Sequence, residues 1–256
     1  MIEKPRRNPG LFFKLLQYAV FKSLDVGISG GPVNLELFAA ESSPNMLEFE
    51  ALARQQGFLT IAGVDEAGRG PLAGPVVAAA VILPEGHIIP GVNDSKKLTG
   101  SMRNKLYDRI MSEAVSVGIG ISDSLTVDRI NILQATLCAM ESAVKTLTSC
   151  PDCLLIDGIS KTSLDIHQKT IKKGDSLSQS IAAASIIAKV TRDRIMEEYD
   201  RQYPEYGFAG HKGYGSASHL AAIAKFAPCP IHRLTFRGVR EHSVKIWRDA
   251  CELPLE

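Results

Sequence analysis

The sequence predicts an α/β fold: a mixed central sheet flanked by helices, with a C-terminal helical segment. Two observations carry this reading. Two apolar strand-like runs stand next to one another at 59–64 and 76–83, and beyond residue 100 strands and helical patterns alternate. Composition agrees, since 45% hydrophobic and 22% charged residues among 256 is the balance of a core-forming chain and excludes disordered and fibrous classes.

The elements follow in order. Residues 1–45 hold a short amphipathic stretch (Phe12, Leu15, Leu16, Ala19, Val20) and then Gly, Ser and Pro linker chemistry, which reads as a poorly ordered extension upstream of a start at Met46. A helical pattern at 47–54 precedes the first strand, 59–64, which runs directly into Asp65 and Glu66. The second strand, 76–83, is apolar throughout, as a strand buried on both faces should be, and its closeness to the first suggests a hairpin. Ser101 can cap a helix to about Glu113, and Val115, Val117, Ile119 and Ile121 alternate as a third strand. A long helical pattern at 125–148, strands at 153–157 and 168–172, and a helix at 178–203 complete the order before a glycine-rich loop and shorter helices. The domain reading is therefore 1–45 as extension and 46–256 as one α/β domain.

Charge and cysteine content narrow the function classes. With 29 Lys and Arg against 28 Asp and Glu, the whole chain makes no field for a polyanion, so any nucleic acid must be met by a local patch. Five cysteines, an odd number in a long chain, argue against a disulfide framework and for a reducing, cytoplasmic setting. No run approaches the ~20 apolar residues of a membrane span, and Lys14 and Lys22 interrupt the N-terminal apolar stretch, which argues against a signal peptide.

Three motifs compete with the acidic residues for attention. Gly68, Gly70 and Ala73 satisfy the spacing of a dinucleotide-binding loop, but Pro71 leads into a strand where that loop must open a helix, and Asp65 and Glu66 would repel phosphates. Cys150, Cys153, Cys229 and His232 could supply a Cys₃His zinc site, although Cys153 opens an apolar strand and is explained as a small buried residue. Ser142 and Lys145 match S-x-x-K inside a helical pattern without its companion motifs.

The acids are more telling. Asp65 and Glu66 follow the first strand, Asp157 closes another, and Asp175 lies just beyond the next, so each is held at a sheet edge. Two carboxylates ~4 Å apart repel by about 4 kcal/mol at an effective dielectric near 20, so a cluster of them needs protons or cations. Oxygen-only ligands suit Mg²⁺ or Mn²⁺, and two such ions are a known device for phosphoryl transfer. Around them lie Ser95, Lys96 and Lys97 in one loop, Lys189 and Arg192 on the long helix, and His211, Lys212 and Tyr214 in the glycine-rich loop. Lysine and serine suit phosphates and a tyrosine ring can stack on a base or sugar, so the set reads as a nucleic-acid cleft around an acidic centre.

These residues fall in motifs that resemble bacterial ribonuclease HII, in that family's order over about 48–248. They are VDEAGRGPLAGP at 64–75, NDSKKL at 93–98, LIDG at 155–158, KGD at 173–175, AAASIIAKVTRD at 182–193 and YGFAGHKGY at 206–214. The resemblance implies the ribonuclease H-like fold. It also implies an endonuclease that cuts the RNA strand of RNA/DNA hybrids and incises duplex DNA 5′ to embedded ribonucleotides, leaving 3′-hydroxyl and 5′-phosphate ends. It assigns Asp65, Glu66, Asp157 and Asp175 to catalysis and to two divalent ions, Mn²⁺ or Mg²⁺. The backbone of Gly68, Arg69 and Gly70 is assigned to the 2′-hydroxyl that distinguishes RNA from DNA, and Tyr214 to the deoxyribose beside the ribonucleotide. Ser95, Lys96, Lys97, Lys189 and Arg192 fall to substrate binding, and Asp193 and His211 to supporting roles. Many relatives have Tyr-Pro where this chain has Tyr214 and Gly215, so a more flexible loop is expected here. Arg69 favours this family over its sister ribonuclease HIII. The expected partner is RNA/DNA hybrid or ribonucleotide-containing duplex DNA, with no membrane and a monomeric protein. The alternative from another class is a catalytically silent hybrid-binding protein, which would have no reason to keep four acids in place.

Overall fold

A computed structural model describes residues 45–93, Ser95 and residues 98–243. The N-terminal extension, Lys96 and Lys97 lie outside the described residues. In chain order the elements are α1 (Glu48–Gln55), β1 (Ile61–Ala67), β2 (Val76–Ile82), α2 (Gly100–Glu113), β3 (Ser116–Ser122), α3 (Ser124–Lys145), β4 (Cys153–Asp157), β5 (His167–Ile171), α4 (Gln179–Gln202), α5 (Phe208–His211) and α6 (Ala217–Phe226). Short 3₁₀ turns at Gly174–Ser176 and Pro204–Tyr206 flank α4.

The strands form one five-stranded mixed sheet in the order β3-β2-β1-β4-β5. β1, β2 and β3 are antiparallel neighbours, as the early hairpin predicted, while β1-β4 and β4-β5 are parallel. Every residue of β2 is buried, because both faces of the sheet are covered. On one face Ala62, Val64, Ala78 and Ala80 pack against Ala135, Ala139 and Ala143 of α3. On the other, Ala79 and Val81 pack against Ala183, Ile186 and Ile187 of α4. Burying each large aliphatic side chain, such as Val64, Val81, Ile186 or Ile187 here, contributes about 1.5–3 kcal/mol.

Close approach explains several small residues. A Cβ on Gly63 would sit 2.1 Å from the carbonyl carbon of Ser180, and one on Gly118 or Gly120 would sit 2.0 Å from a main-chain oxygen of α3. Helix backbone thus lies directly on strand backbone, and α4 is pressed against β1 where the acids stand.

Four boundaries differ from the sequence reading. Asp65 and Glu66 lie inside β1, paired with Ala79 and Ala78, because the β2 partner continues past the point where pairing with β4 ends at Val64. Helix α2 is capped by Thr99, whose hydroxyl accepts from the Met102 N–H at 3.3 Å, and not by Ser101. The predicted helix at 125–148 starts earlier and is broken at Asn131 (φ 68°), whose side chain caps the second half through the N–H groups of Leu133 and Gln134. In β3 the better buried face carries Ser116, Gly118, Gly120 and Ser122, while Val117 and Ile119 are half-buried and Ile121 is exposed.

A separate apolar cluster forms the C-terminal segment, where Leu72, Met196, Tyr206, Phe208, Ile223, Ile231 and Val239 meet. It fastens two loops to the end of α4: residues 68–75 after β1 and residues 212–216 before α6. The Leu72 N–H donates to the Gly213 carbonyl at 2.8 Å, and the Gly74 N–H to the Ile231 carbonyl at 2.8 Å.

Candidate active site

The sheet's central strands place the acids. β1 delivers Asp65 and Glu66, neighbouring β4 ends on Asp157, and the turn after β5 presents Asp175. One oxygen from each of Asp65, Asp157 and Asp175 lies within 4.8 Å of the other two. The main chain orients two of these groups: the Glu66 N–H donates to Asp65 Oδ1 at 2.7 Å, and the Gly174 N–H to Asp157 Oδ1 at 2.7 Å. Lys173 adopts a left-handed conformation (φ 58°) that turns the chain so that Gly174 makes this bond and Asp175 follows it into the cluster.

Asp65 is only 4% exposed. Burial first, and then the charges of Glu66 and Asp157, raise its carboxyl well above the usual carboxylate range, while a hydrogen bond with Ser185 works the other way. A carboxylate set this close and this dry calls for a positive charge, and its all-oxygen donors suit a hard divalent cation. Glu66 stands beside the trio, with Arg69 Nη1 3.3 Å from its Oε1.

Above the acids opens a cleft of about 230 Å³, lined by Asp65, Glu66, Gly68, Arg69, Asp157, Lys189 and Tyr214 among others. Lys189 Nζ donates to Asp193 Oδ1 at 2.6 Å, one turn along α4, which holds the ammonium at the cleft wall. Ser95 is buried and shares a 3.0 Å hydrogen bond with Ser185, the residue that contacts Asp65. Tyr214 is 49% exposed, its ring beside Gly70.

Arg192 also lines the cleft, yet its guanidinium is 1% exposed and donates to the carbonyls of Pro75, Lys212 and Ala73 at 3.0, 3.0 and 3.1 Å. Its donors hold the two loops together. His211 is half-buried and also held by main chain: its Nε2 bonds the Tyr206 carbonyl at 2.8 Å, and its Nδ1 accepts from the Gly213 N–H at 3.2 Å.

The zinc candidates do not come together: Cys153, on β4, packs with Leu155 and Ile181, whereas Cys229 belongs to the C-terminal cluster and its N–H donates to His232. Among the described residues, the aspartate trio is the group of three or more metal-ligating side chains that meet.

The sequence reading missed the roles of several residues at the site. Arg233 is wholly buried beneath residues 68–75, and His219 and His232 share a buried 3.0 Å hydrogen bond below Tyr214. His219 Nδ1 meets the Tyr214 carbonyl at 2.9 Å, and the Cys229 N–H donates to His232 Nδ1 at 3.0 Å, so the pair links the Tyr214 loop to the C-terminal segment.

A mixed five-stranded sheet with carboxylates converging on its two central strands defines a nuclease of the ribonuclease H-like fold. Solved structures agree. The chain is similar to ribonuclease H2 from Pyrococcus horikoshii OT3 with a TM-score of 0.63 and 27% identity, over 74% of this chain and 100% of that one. It also shares its fold with Bst-RNase HIII in complex with Mn²⁺, with a TM-score of 0.60 and 23% identity over 77% of this chain and 73% of that one. The Ribonuclease HII family model matches residues 62–239. The chain is 66% identical over 208 residues to Ribonuclease HII of Geotalea uraniireducens strain Rf4, covering 81% of this chain and 96% of that one. It is 64% identical over 210 residues to Ribonuclease HII of Geobacter sulfurreducens, covering 82% and 97%. This chain belongs to the ribonuclease HII family, and is accordingly a ribonuclease H acting on RNA/DNA hybrids.

Proposed function

We propose that this ribonuclease H, beyond cutting the RNA strand of hybrids, incises duplex DNA 5′ to single embedded ribonucleotides and leaves 3′-hydroxyl and 5′-phosphate ends. The observation that carries the reading is an aspartate trio, two of whose members, Asp65 and Asp157, line a cleft together with Gly68, Arg69 and Tyr214. Asp65, Asp157 and Asp175, joined by Glu66, hold two divalent ions, Mn²⁺ or Mg²⁺. Bound there, such ions supply an activated water and charge stabilisation at the departing 3′ oxygen.

The chain's own groups do the rest. The backbone of Gly68, Arg69 and Gly70 reads the 2′-hydroxyl, and the half-exposed Tyr214 ring packs on the neighbouring deoxyribose. Lys189, steadied by Asp193, meets a phosphate, as do Lys96 and Lys97. Ser95 acts through Ser185 on the acidic centre, while Arg192 and His211 shape the loops that the substrate touches. The protein works as a monomer in the cytoplasm.

The test is cleavage of a DNA duplex carrying one ribonucleotide, in Mn²⁺ or Mg²⁺. A metal-dependent cut 5′ to the ribonucleotide is expected. Binding of the duplex without any cut would favour the silent hybrid-binding alternative.

A further inference from the structure

The loop after β1 is built on two buried cations. Arg233 is 0% exposed and Arg192 is 1% exposed; Asp128 and Asp193 act on them only through their charge, with no hydrogen bond from either guanidinium. Burial pushes the Arg233 guanidinium down to about 9, helped by the charge of Arg192, so it stays protonated at neutral pH. Main-chain carbonyls meet its charge instead. Its Nη1 donates to the carbonyls of Arg69 and Pro71 at 2.9 and 2.8 Å, and its Nη2 to those of Gly68 and Gly74 at 2.6 and 2.9 Å. Its Nε adds a second bond to Gly74 at 3.1 Å. The whole donor set of the guanidinium is spent within one short loop.

The remaining carbonyls of the loop are nearly all taken as well. Leu72 accepts the Arg233 N–H at 2.9 Å, while Ala73 and Pro75 accept from Arg192 at 3.1 and 3.0 Å. Among the described residues, Gly70 is the one position of 68–75 whose carbonyl receives no donor from the protein. It is exposed, and a Cβ built there would find only the Tyr214 ring, at 3.7 Å. Neither packing nor a positive φ constrains residue 70, so its main chain stands open beside the Tyr214 ring.

We infer that Arg233 is a specificity-determining positioning residue, which draws in the carbonyls of 68, 69, 71 and 74 and thereby presents the Gly70 carbonyl to the ribonucleotide's 2′-hydroxyl. The inference rests on the ribonucleotide reading above. An apolar side chain could fill the space without the cost of burying a charge, but only a planar fork satisfies several carbonyls at once. The fork also sets the loop's shape within the small tolerance of a hydrogen bond, because misplacement by about 1 Å loses it.

The experiment compares binding of two duplexes that differ by a single 2′-hydroxyl, using the full chain carrying Asp157→Asn so that nothing is cut. Arg233→Lys keeps the charge and loses the fork. Phe236→Leu keeps every donor and loosens the guanidinium, whose Cζ lies 5.1 Å from the centre of the Phe236 ring. Both variants are expected to bind the all-DNA duplex as the parent does, while preference for the ribonucleotide falls about tenfold in Arg233→Lys and about threefold in Phe236→Leu. A merely structural brace would change affinity for both duplexes alike. Unchanged preference in a folded variant overturns the inference, and if Arg233→Lys does not fold, Phe236→Leu decides alone. A parent with no preference overturns the ribonucleotide reading and Arg233's role with it; a preference intact in parent and variants overturns Arg233's role only.

Discussion

On the sheet side of the cleft, Asp65, Asp157 and Asp175 crowd like charges into one corner, where the Glu66 and Gly174 N–H groups donate to Asp65 and Asp157. On the loop side, Arg192 and Arg233 also bury like charges, but carbonyls of residues 68–75 and of Lys212 take up their donors. Burying a charge costs several kcal/mol on either side unless it is matched. The arginine side is matched within the protein and so is built for shape. The aspartate side gathers carboxylate oxygens within 4.8 Å of one another, a donor set that suits a hard divalent cation, and so is built for chemistry.

The largest test of this contrast is on the acidic side. Asp157→Asn keeps an oxygen for the Gly174 N–H but removes the charge, and hydrolysis of an RNA/DNA hybrid should fall about a thousandfold or more. Its melting temperature in chelator should hold or rise, since functional carboxylates of this kind are destabilising. A fully active variant would remove Asp157 from the site.

Next in size are the two glycines of the loop. Gly68 has φ +98° and a Cβ there would sit 2.1 Å from Arg192 Nε, so Gly68→Ala should cost about 2–3 kcal/mol by chemical denaturation. Gly70→Ala should stay within about 0.5 kcal/mol of the parent yet weaken discrimination for the ribonucleotide. Equal destabilisation by the two substitutions would erase the distinction between a packed and a ligand-facing glycine.

A smaller effect concerns the histidines beneath Tyr214. Burial pushes His219 and His232 down to about 4. The unfolded chain, with imidazoles near 6.5, binds more protons across the interval from about 6.5 to 4. Their contribution to stability is therefore complete above that interval and is lost as pH falls through it. An NMR titration should find both rings neutral at about pH 5.5; a His219 ring protonated there would be incompatible with the hydrogen bond between the two Nε2 atoms.

The smallest effect belongs to the extension. We propose that a chain starting at Met46, whose carbonyl accepts the Gln179 N–H at 2.7 Å, folds within about 0.5 kcal/mol of the parent and cleaves as well. A large loss of cleavage would assign residues 1–45 to the substrate or the fold.

What could be read beforehand differs between the two sides in the same way. Asp157 closes an apolar run, Asp65 and Glu66 end another, and Asp175 stands just beyond the next strand, so local pattern marked them. Lys189 and Arg192 looked alike, two basic residues on one helix. Their different fates, one paired with Asp193 at the cleft wall and the other saturated by carbonyls, depend on what packs above α4. Arg233 and His219 fall in no recognisable spacing, and the spacing of His232 to Cys229 pointed toward zinc; Arg233 in particular reaches back 165 residues to Gly68.

The sequence by itself determined the sheet's apolar strands, their hairpin, the helices that cover them and the identity of the acids, because hydrophobic periodicity and strand termini are local properties. The tertiary structure alone decided the strand order that brings Asp65, Asp157 and Asp175 together, the separation of Cys153 from Cys229, and the inward turn of the loop carbonyls. Each of these is a matter of distance between segments remote in the chain, and it is settled only when the buried charges and carbonyls of the whole fold are matched against one another.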